Sequence, residues 1–315
     1  DVDKDQRFLI TGGSIGLAKR LKWPDDYFTL SQAVSFQHYN LKNYNTNLFT
    51  FGDGYSNNLA YTFGISRNNT ATNPIYPMSG SDFSLSFKLT IPYSAFNGVD
   101  YDSLKVEREA LEEVQSNDPS FVDARNRISV IDQERFKWLE YYKIKFKGTW
   151  YTKIMGDLVL RTNTEFGFLG AYNNSRGIPP FERFFVGGDG LGSFSLDGRE
   201  VIQLRGYPNQ SLSSNDGDNI YNKYSLELRY PVTLKQLASI YVLAFVEGGS
   251  SYDGFRNYDP FSIQRSAGAG LRIFMPAFGL LGIDFAHGFD PLPGDNSINP
   301  EKSGWQTHFI IGRQF

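Results

Sequence analysis

The sequence predicts an all-β chain whose long antiparallel strands form a transmembrane β-barrel. Three observations predict this fold class. Apolar residues recur at every second position, many alternating segments reach the ~10 residues that a tilted strand needs to cross a bilayer, and short connections alternate with long ones. Aromatic residues make up 16% of the 315 residues and charged residues 21%. So much Phe and Tyr beside so little charge excludes a disordered chain.

The alternation defines about eleven predicted strands. In one of them Phe83, Leu85 and Phe87 are separated by serines. Because successive side chains of a strand point to opposite faces, each such segment has one apolar and one polar face. The strands are expected near residues 7–20, 28–41, 57–67, 82–92, 138–151, 156–171, 220–231, 238–251, 265–275, 279–289 and 305–315.

A soluble β-protein shares this pattern with an outer-membrane barrel. In the soluble case the apolar face packs into a core, whereas in the barrel it meets lipid and the polar face lines the lumen. Strand length favours the barrel, and so do aromatic residues at strand ends such as Tyr39, Trp150 and Trp305, which suit an interfacial girdle. Short connections are predicted at Lys153–Gly156 and Pro231–Lys235.

The barrel interpretation assigns a direction to individual side chains. Apolar positions of each alternating segment are expected to face lipid, and polar positions are expected to face the lumen. The outward residues include Leu85, Phe87, Ile144, Phe146, Leu226, Leu228 and Phe309, and the inward residues include Lys88, Lys143, Lys145, Glu227 and Gln306.

One region departs from the period of two. Residues 93–136 carry helical signals, first in the charge-dense segment 102–115 and again after Asp118, which is followed by a proline. We expect a helical insertion in an extracellular loop of the barrel domain, which occupies residues 1–315. A docking platform for a partner is the alternative to a helical pair that only fills the loop.

Composition excludes several kinds of active site. The chain has no cysteine and three histidines, so thiol catalysis and thiolate metal sites are excluded and a zinc or triad enzyme is not expected. We predict no catalytic residue, no metal and no cofactor. A net charge of −3 and a pI near 5.7 provide no basic face for nucleic acid.

Two segments are more specific than a generic barrel pattern. The long loop, residues 173–218, contains an aromatic-x-Gly-Gly segment followed by an Arg-Gly-Tyr motif, and the chain ends in an alternating aromatic segment from His308. These segments resemble the BamA/TamA superfamily of outer-membrane barrels. Residues 189–203, between the two loop motifs, depart from the family pattern. The loop residues that carry the resemblance are Phe185, Gly187, Gly188, Leu204, Arg205, Gly206 and Tyr207.

The resemblance implies a sixteen-stranded barrel of which about eleven strands are represented, with the first strands and the POTRA domains lying upstream. It also implies that the long loop folds into the lumen, where Arg205 meets Glu227 and Glu247 on the inner wall. A guanidinium binds carboxylates through paired hydrogen bonds, which suits this contact. An ordinary solvent-exposed arginine is the alternative.

The resemblance also implies that the last strand carries a C-terminal signal and a lateral gate. Phe309, Ile311 and Phe315 would face lipid, and Arg313 would reach the head groups from the strand end. Gly312 would let the strand bend at the seam, since glycine weakens a strand. The alternative is that Gly312 has no role in a gate and is glycine only because a crowded lumen requires a small residue there.

The resemblance implies a non-enzymatic insertase of the outer-membrane protein assembly machinery, located in the cell outer membrane of a Gram-negative bacterium. The implied partners are nascent outer-membrane β-barrel proteins, accessory assembly lipoproteins and outer-membrane lipids including lipopolysaccharide, without nucleic acid. Alternatives are a polypeptide-secreting pore of the TamA or two-partner secretion type, a passive porin and an outer-membrane enzyme.

Overall fold

A computed structural model describes residues 7–43, 51–70, 74–191, 199–235, 238–294 and 302–312. Eleven long strands form one antiparallel sheet in chain order, and two short strands, β7 and β8, pair with each other outside it. The predicted all-β fold class is confirmed. The strands are β1 (Arg7–Arg20), β2 (Phe28–Lys42), β3 (Gly54–Asn68), β4 (Gly80–Thr90), β5 (Tyr142–Met155), β6 (Leu158–Gly170), β7 (Phe184–Val186), β8 (Glu200–Ile202), β9 (Ile220–Lys235), β10 (Ala238–Tyr252), β11 (Gln264–Met275), β12 (Gly279–Pro291) and β13 (Lys302–Ile311).

The predicted turn at Pro231–Lys235 is wrong, because β9 continues through this segment. The register between β9 and β10 shifts at Ile240 and Tyr241, and Tyr241 lies opposite Pro231. Proline has no N–H to donate to the ladder, so a proline inside a sheet is tolerated where a bulge interrupts the pairing.

Strand β5 starts at Tyr142, later than the predicted 138, and its turn with β6 lies at 156–157. Residues 137–139, just before Tyr142, pair with β3 instead. Asn57 on β3 donates its N–H to the carbonyl of Lys137 at 2.9 Å and accepts from the N–H of Leu139 at 2.8 Å. This segment is therefore held by β3, whereas β5 pairs with β4.

Two helices, α1 (Tyr101–Glu112) and α2 (Phe121–Phe136), lie between β4 and β5. The Asp118 carboxylate accepts hydrogen bonds from the N–H and the hydroxyl of Ser120, which forms a turn before α2. Helix α2 then begins at Phe121. The pair is joined by ion pairs, including Arg108 with Asp132 at 2.8 Å. Within the residues that the structure describes, no helix is both long and apolar enough to span a membrane.

The sheet curves around the long loop. Phe181 of this loop packs on Tyr39 of β2, with 5.2 Å between ring centroids, and Gly206 of the same loop donates its N–H to His308 of β13. A cavity of about 400 Å³ beside the loop is lined by residues of strands from β4 to β13. A flat sheet cannot bring these distant strands to one cavity, so the loop lies on a concave inner face.

The two faces of the sheet differ as the alternation predicts. Leu226, Leu228 and Phe309 are exposed on the outer face, whereas Glu227 lies on the inner face and is buried. Lys143 is also buried, against the long loop. The strands therefore present apolar side chains outward and charged side chains toward the loop.

A hydrophobic core lies on the inner face, at the end of the sheet where the short turns connect the strands. Tyr76, in the connection between β3 and β4, is buried and packs on Tyr241 with 5.4 Å between ring centroids. Its hydroxyl donates to the carbonyls of Asp157 and Arg229 at 2.9 and 2.8 Å. The connection thus folds under the sheet and covers the apolar part of its inner face.

Candidate functional site

The most densely charged site in the described part of the chain surrounds Arg205. The guanidinium contacts three carboxylates: Nη2 lies 2.7 Å from Glu227 Oε1 and 2.5 Å from Glu247 Oε1, and Nη1 lies 3.1 Å from Asp284 Oδ2. The three carboxylates come from β9, β10 and β12. We call these four residues the Arg205 cluster. The structure thus brings Arg205 together with both glutamates that the sequence nominated, and adds Asp284.

Two further arginines hold the carboxylates in place. Arg229 binds Glu227 Oε2 through two nitrogens at 2.8 and 2.6 Å. Arg272 binds both oxygens of Asp284 at 2.6 and 2.7 Å. Paired contacts of this kind fix both position and orientation of a carboxylate. The carboxylates of Glu227 and Asp284 are therefore held by the sheet itself, and Arg205 reaches them from the loop.

The Arg205 guanidinium stays charged in this position. Burial alone would lower its pKa, but Glu247 and Glu227 beside it raise the pKa above its usual value. The guanidinium also lies 3.5 Å from the centroid of the Phe245 ring, a cation–π contact. The site therefore binds a permanent cation.

The residues around Arg205 fix the loop backbone. Gly206 donates its N–H to His308 Nε2 at 2.8 Å, and its carbonyl accepts from Ser303 Oγ at 2.8 Å. Both partners belong to β13. Leu204 is fully buried, and the Tyr207 hydroxyl donates to the carbonyl of Arg265 at 2.8 Å.

The aromatic-x-Gly-Gly segment is hydrogen-bonded to the loop backbone that leads into the Arg-Gly-Tyr motif. Gly188 and Leu204 exchange two backbone hydrogen bonds of 3.0 and 3.1 Å, and Gly187 donates to the carbonyl of Ile202 at 3.0 Å. Phe185 is buried. The two loop motifs, which are distant in sequence, are therefore parts of one folded unit.

A second set of ion pairs anchors the loop at its other end. Glu182 of the loop contacts Lys88 of β4 at 2.9 Å and Lys143 of β5 at 3.3 Å. Glu200 on β8 contacts Lys143 at 2.8 Å and Lys145 at 2.7 Å. The loop is thus attached to the sheet at two charged sites. At this lysine site the sheet provides the lysines and the loop provides the carboxylates. At the Arg205 cluster the sheet provides the carboxylates and the loop provides the arginine.

The lysine site predicts a pH dependence of loop docking. Burial raises the pKa of Glu182, but Lys88 and Lys143 lower it more, so the pKa lies below its usual 4.5. The pKa of Glu200 is lowered in the same way by Lys143 and Lys145 against burial. A carboxyl whose docked pKa is depressed stabilises docking above its free pKa and loses that contribution as the pH falls through the docked pKa.

We therefore expect pepsin to cut the long loop of the folded protein faster as the pH falls below about 4.5. A double variant, Glu182→Gln with Glu200→Gln, should lose most of this dependence. An identical pH profile in the wild type and the double variant would refute the assignment.

The residues predicted for the last strand are placed only in part. Phe309 and Ile311 are exposed on the outer face. Strand β13 ends at Ile311, and Gly312 follows it with a positive φ of 107°. Arg313 and Phe315 lie outside the described residues.

Sequence reasoning missed several members of this site. Asp284 is one of two acidic residues of β12, with Asp290, and both lie on the parity that otherwise carries mainly glycine and alanine; that parity was its one signal. His308 and Asp189 were also missed as loop contacts. In the described residues no group of His, Cys, Asp and Glu is arranged to hold a metal ion.

The fold and the Arg205 cluster together define a β-barrel protein whose long loop is bound to the inner wall by a buried arginine. The chain belongs to the Omp85 superfamily, whose domain matches residues 9–315. This confirms the superfamily membership that the loop motifs predicted.

One curated protein and two solved structures are similar to this chain. Outer membrane protein assembly factor BamA of Neisseria meningitidis serogroup B is 28% identical over 151 residues, which cover 43% of this chain and 17% of that protein. The crystal structure of BamA from Haemophilus ducreyi lacking POTRA domains 1–3 matches 97% of this chain and 54% of that chain, with a TM-score of 0.62 and 17% identity.

CdiB from Escherichia coli matches 95% of this chain and 44% of that chain, with a TM-score of 0.51 and 11% identity. At these identities the likeness to the two solved structures is one of fold. The chain spans about half the length of the structures that it matches.

Proposed function

We propose that this chain is the barrel part of a non-enzymatic insertase that folds and inserts β-barrel proteins into the outer membrane of a Gram-negative bacterium. The edge strand β13 would be the lateral gate, where an incoming strand pairs by β-augmentation. The observation that carries the proposal is the reach of the long loop. One motif binds the three carboxylates of the Arg205 cluster through Arg205 and the gate strand through Gly206.

The connection between the two sites supports this function over a passive pore. A porin needs a lumen of suitable charge and width, and a loop bound to the edge strand adds nothing to diffusion. An insertase must hold one strand edge in a defined state until a client arrives. A loop fixed by a buried arginine provides such control, because its release would change the contacts of β13 directly.

The partners follow from the same proposal. Clients would be unfolded outer-membrane β-barrel proteins, helped by accessory assembly lipoproteins and by outer-membrane lipids including lipopolysaccharide. The helical insertion, residues 93–136, and the long-loop end of the barrel would lie on the extracellular side, because barrels carry their long loops there.

The test is reconstitution of the intact protein in liposomes with an unfolded eight-stranded barrel as client. Insertion is read as heat-modifiable gel mobility of the client and its protection from protease. We expect faster insertion than into empty liposomes. A polypeptide-secreting pore would instead move a passenger across the bilayer without inserting it, and a porin would only conduct small solutes.

Gly312 provides a variant that tests the gate. Its backbone has a φ of 107°, and among the described residues, apart from its neighbours in the chain, no atom lies within 4 Å of the position that a Cβ would take. A β-branched residue does not tolerate this φ, so Gly312→Val should straighten the strand end. We expect a folded, membrane-inserted barrel with client insertion reduced several-fold.

The matched control is Gly254→Val, because Gly254 also has open space around it but an extended φ of −159°. It should insert clients at the wild-type rate. Unchanged insertion by Gly312→Val would show that the bend after β13 has no part in the mechanism.

A further inference from the structure

The edge of β13 that faces away from β12 carries a contact that the proposed function does not require. Asp189, in the long loop, accepts the backbone N–H of Phe309 through Oδ2 at 3.0 Å. Phe309 lies in β13, the last strand of the sheet, and pairs with Ile283 of β12 on one side. A side chain of the loop therefore hydrogen-bonds to the backbone of the gate strand.

The ladder shows which edge of β13 this N–H faces. Gly312 donates its N–H to the carbonyl of Leu280 on β12 at 2.9 Å. In an antiparallel pair, residues that bond the partner alternate with residues whose N–H and C=O point away from it. Phe309 is three residues from Gly312, so its N–H points away from β12, to the edge where a further strand would pair.

Asp189 is held in place for this contact by the loop itself. Its N–H donates to Asn209 Oδ1 at 3.0 Å, and its carbonyl accepts from Gln203 Nε2 at 2.7 Å. Its other carboxylate oxygen, Oδ1, accepts the N–H of Leu191 at 2.9 Å. Gln203 and Asn209 flank the Leu204–Tyr207 motif, so the position of Asp189 depends on the docked motif.

We propose that Asp189 is a latch on the gate strand: while the loop is docked, its carboxylate occupies the edge N–H of Phe309 that a pairing strand must take. The proposal rests on the proposed function for the role of that edge. Because Asp189 and Arg205 belong to one folded unit, release of Arg205 from its carboxylates would also withdraw the latch. The Arg205 cluster and the gate are then coupled through the hydrogen bonds of Gln203 and Asn209 to Asp189.

The latch predicts a local change in amide exchange. In the intact protein in lipid nanodiscs, Asp189→Ala should accelerate hydrogen exchange of the Phe309 amide by roughly 10- to 100-fold, the range that a hydrogen bond to a charged acceptor contributes. The Gly312 amide, which donates to Leu280, should keep its protection. Exchange is read by NMR with nitrogen-labelled phenylalanine and glycine.

Two further variants separate the latch from loop unfolding. Asp189→Asn keeps the size of the side chain and should accelerate exchange less than Asp189→Ala. Asp216→Ala removes an exposed carboxylate elsewhere in the same loop and should change nothing. Resistance of the long loop to protease should be similar in all three variants.

The latch also predicts that Asp189→Ala inserts clients several-fold faster at early times, since the edge donor is already free. Unchanged Phe309 exchange, equal acceleration by Asp216→Ala, or slower or unchanged client insertion would each overturn the latch. If the wild type inserts no client, the proposed function fails, and the exchange comparison still decides whether Asp189 caps the edge.

Discussion

Replacing Arg205 by alanine is expected to release the long loop from the inner face while the strands remain paired. The variant leaves Glu227, Glu247 and Asp284 buried with one cation fewer. Removing one partner of a buried ion pair costs ~3–5 kcal/mol, and the adjacent cavity, which admits water, moves the expectation to the lower end. The strand ladders do not use Arg205, so the loss falls on loop docking.

The measurements are limited proteolysis of the long loop and heat-modifiable mobility of the barrel. We expect fast loop cleavage, unchanged mobility and reduced client insertion. Release of the whole loop frees the Phe309 N–H, but unlike Asp189→Ala it also removes the Gly206 contacts that hold β13 in place. Arg205→Lys keeps the charge but lacks the guanidinium fork, so it should fall between the wild type and alanine. The control is Arg256→Ala, which removes an exposed arginine from another loop. A loop as protected in Arg205→Ala as in the wild type would show that the cluster does not hold it.

Period-two alternation was sufficient to predict the fold class, because each strand must separate an apolar face from a polar one whatever its neighbours are. The same parity nominated Glu227 and Glu247 as inward residues. Strand ends were less predictable, as β9 shows: Pro231 has the chemistry of a turn residue, yet a bulge opposite Tyr241 accommodates it within the sheet.

The loop contacts could not be predicted in the same way. Asp284 and His308 meet the loop because β12 and β13 curve toward β9 and β10, and no local pattern encodes that curvature. Asp189 and Tyr76 lie in connections, where the sequence has no periodicity from which to infer a direction. Their roles depend on which strands enclose them, which only the assembled sheet determines.

Gly206→Ala is expected to have an effect comparable to Arg205→Ala, for a steric reason. Gly206 has a φ of 88°, and a Cβ added there would lie 2.6 Å from Ser266 Cβ and 3.2 Å from the backbone nitrogen of Gly288. Its N–H and C=O are already bound to His308 and Ser303 of β13. The residue is therefore fixed against β13 on one side and against β11 and β12 on the other.

Relief of this clash requires the motif to move, because the wall on that side consists of a Cβ and backbone atoms of paired strands, none of which can rotate away. Movement of Gly206 would withdraw Arg205 from its carboxylates and break both contacts with β13. We expect rapid protease cleavage of the long loop and loss of client insertion in Gly206→Ala, with the barrel still heat-modifiable.

The control Gly98→Ala separates this clash from backbone strain. Gly98 has a φ of 70° and open space around its Cβ position. Both alanines therefore meet the cost of the left-handed conformation, ~1–2 kcal/mol, but only the one at 206 meets the wall. If the two variants were equally mild, the close approach of the motif to β11 and β12 would not be what positions Arg205. If Gly206→Ala alone releases the loop, the motif requires glycine for a steric reason. The loop backbone must touch the barrel wall for Arg205 to reach its carboxylates.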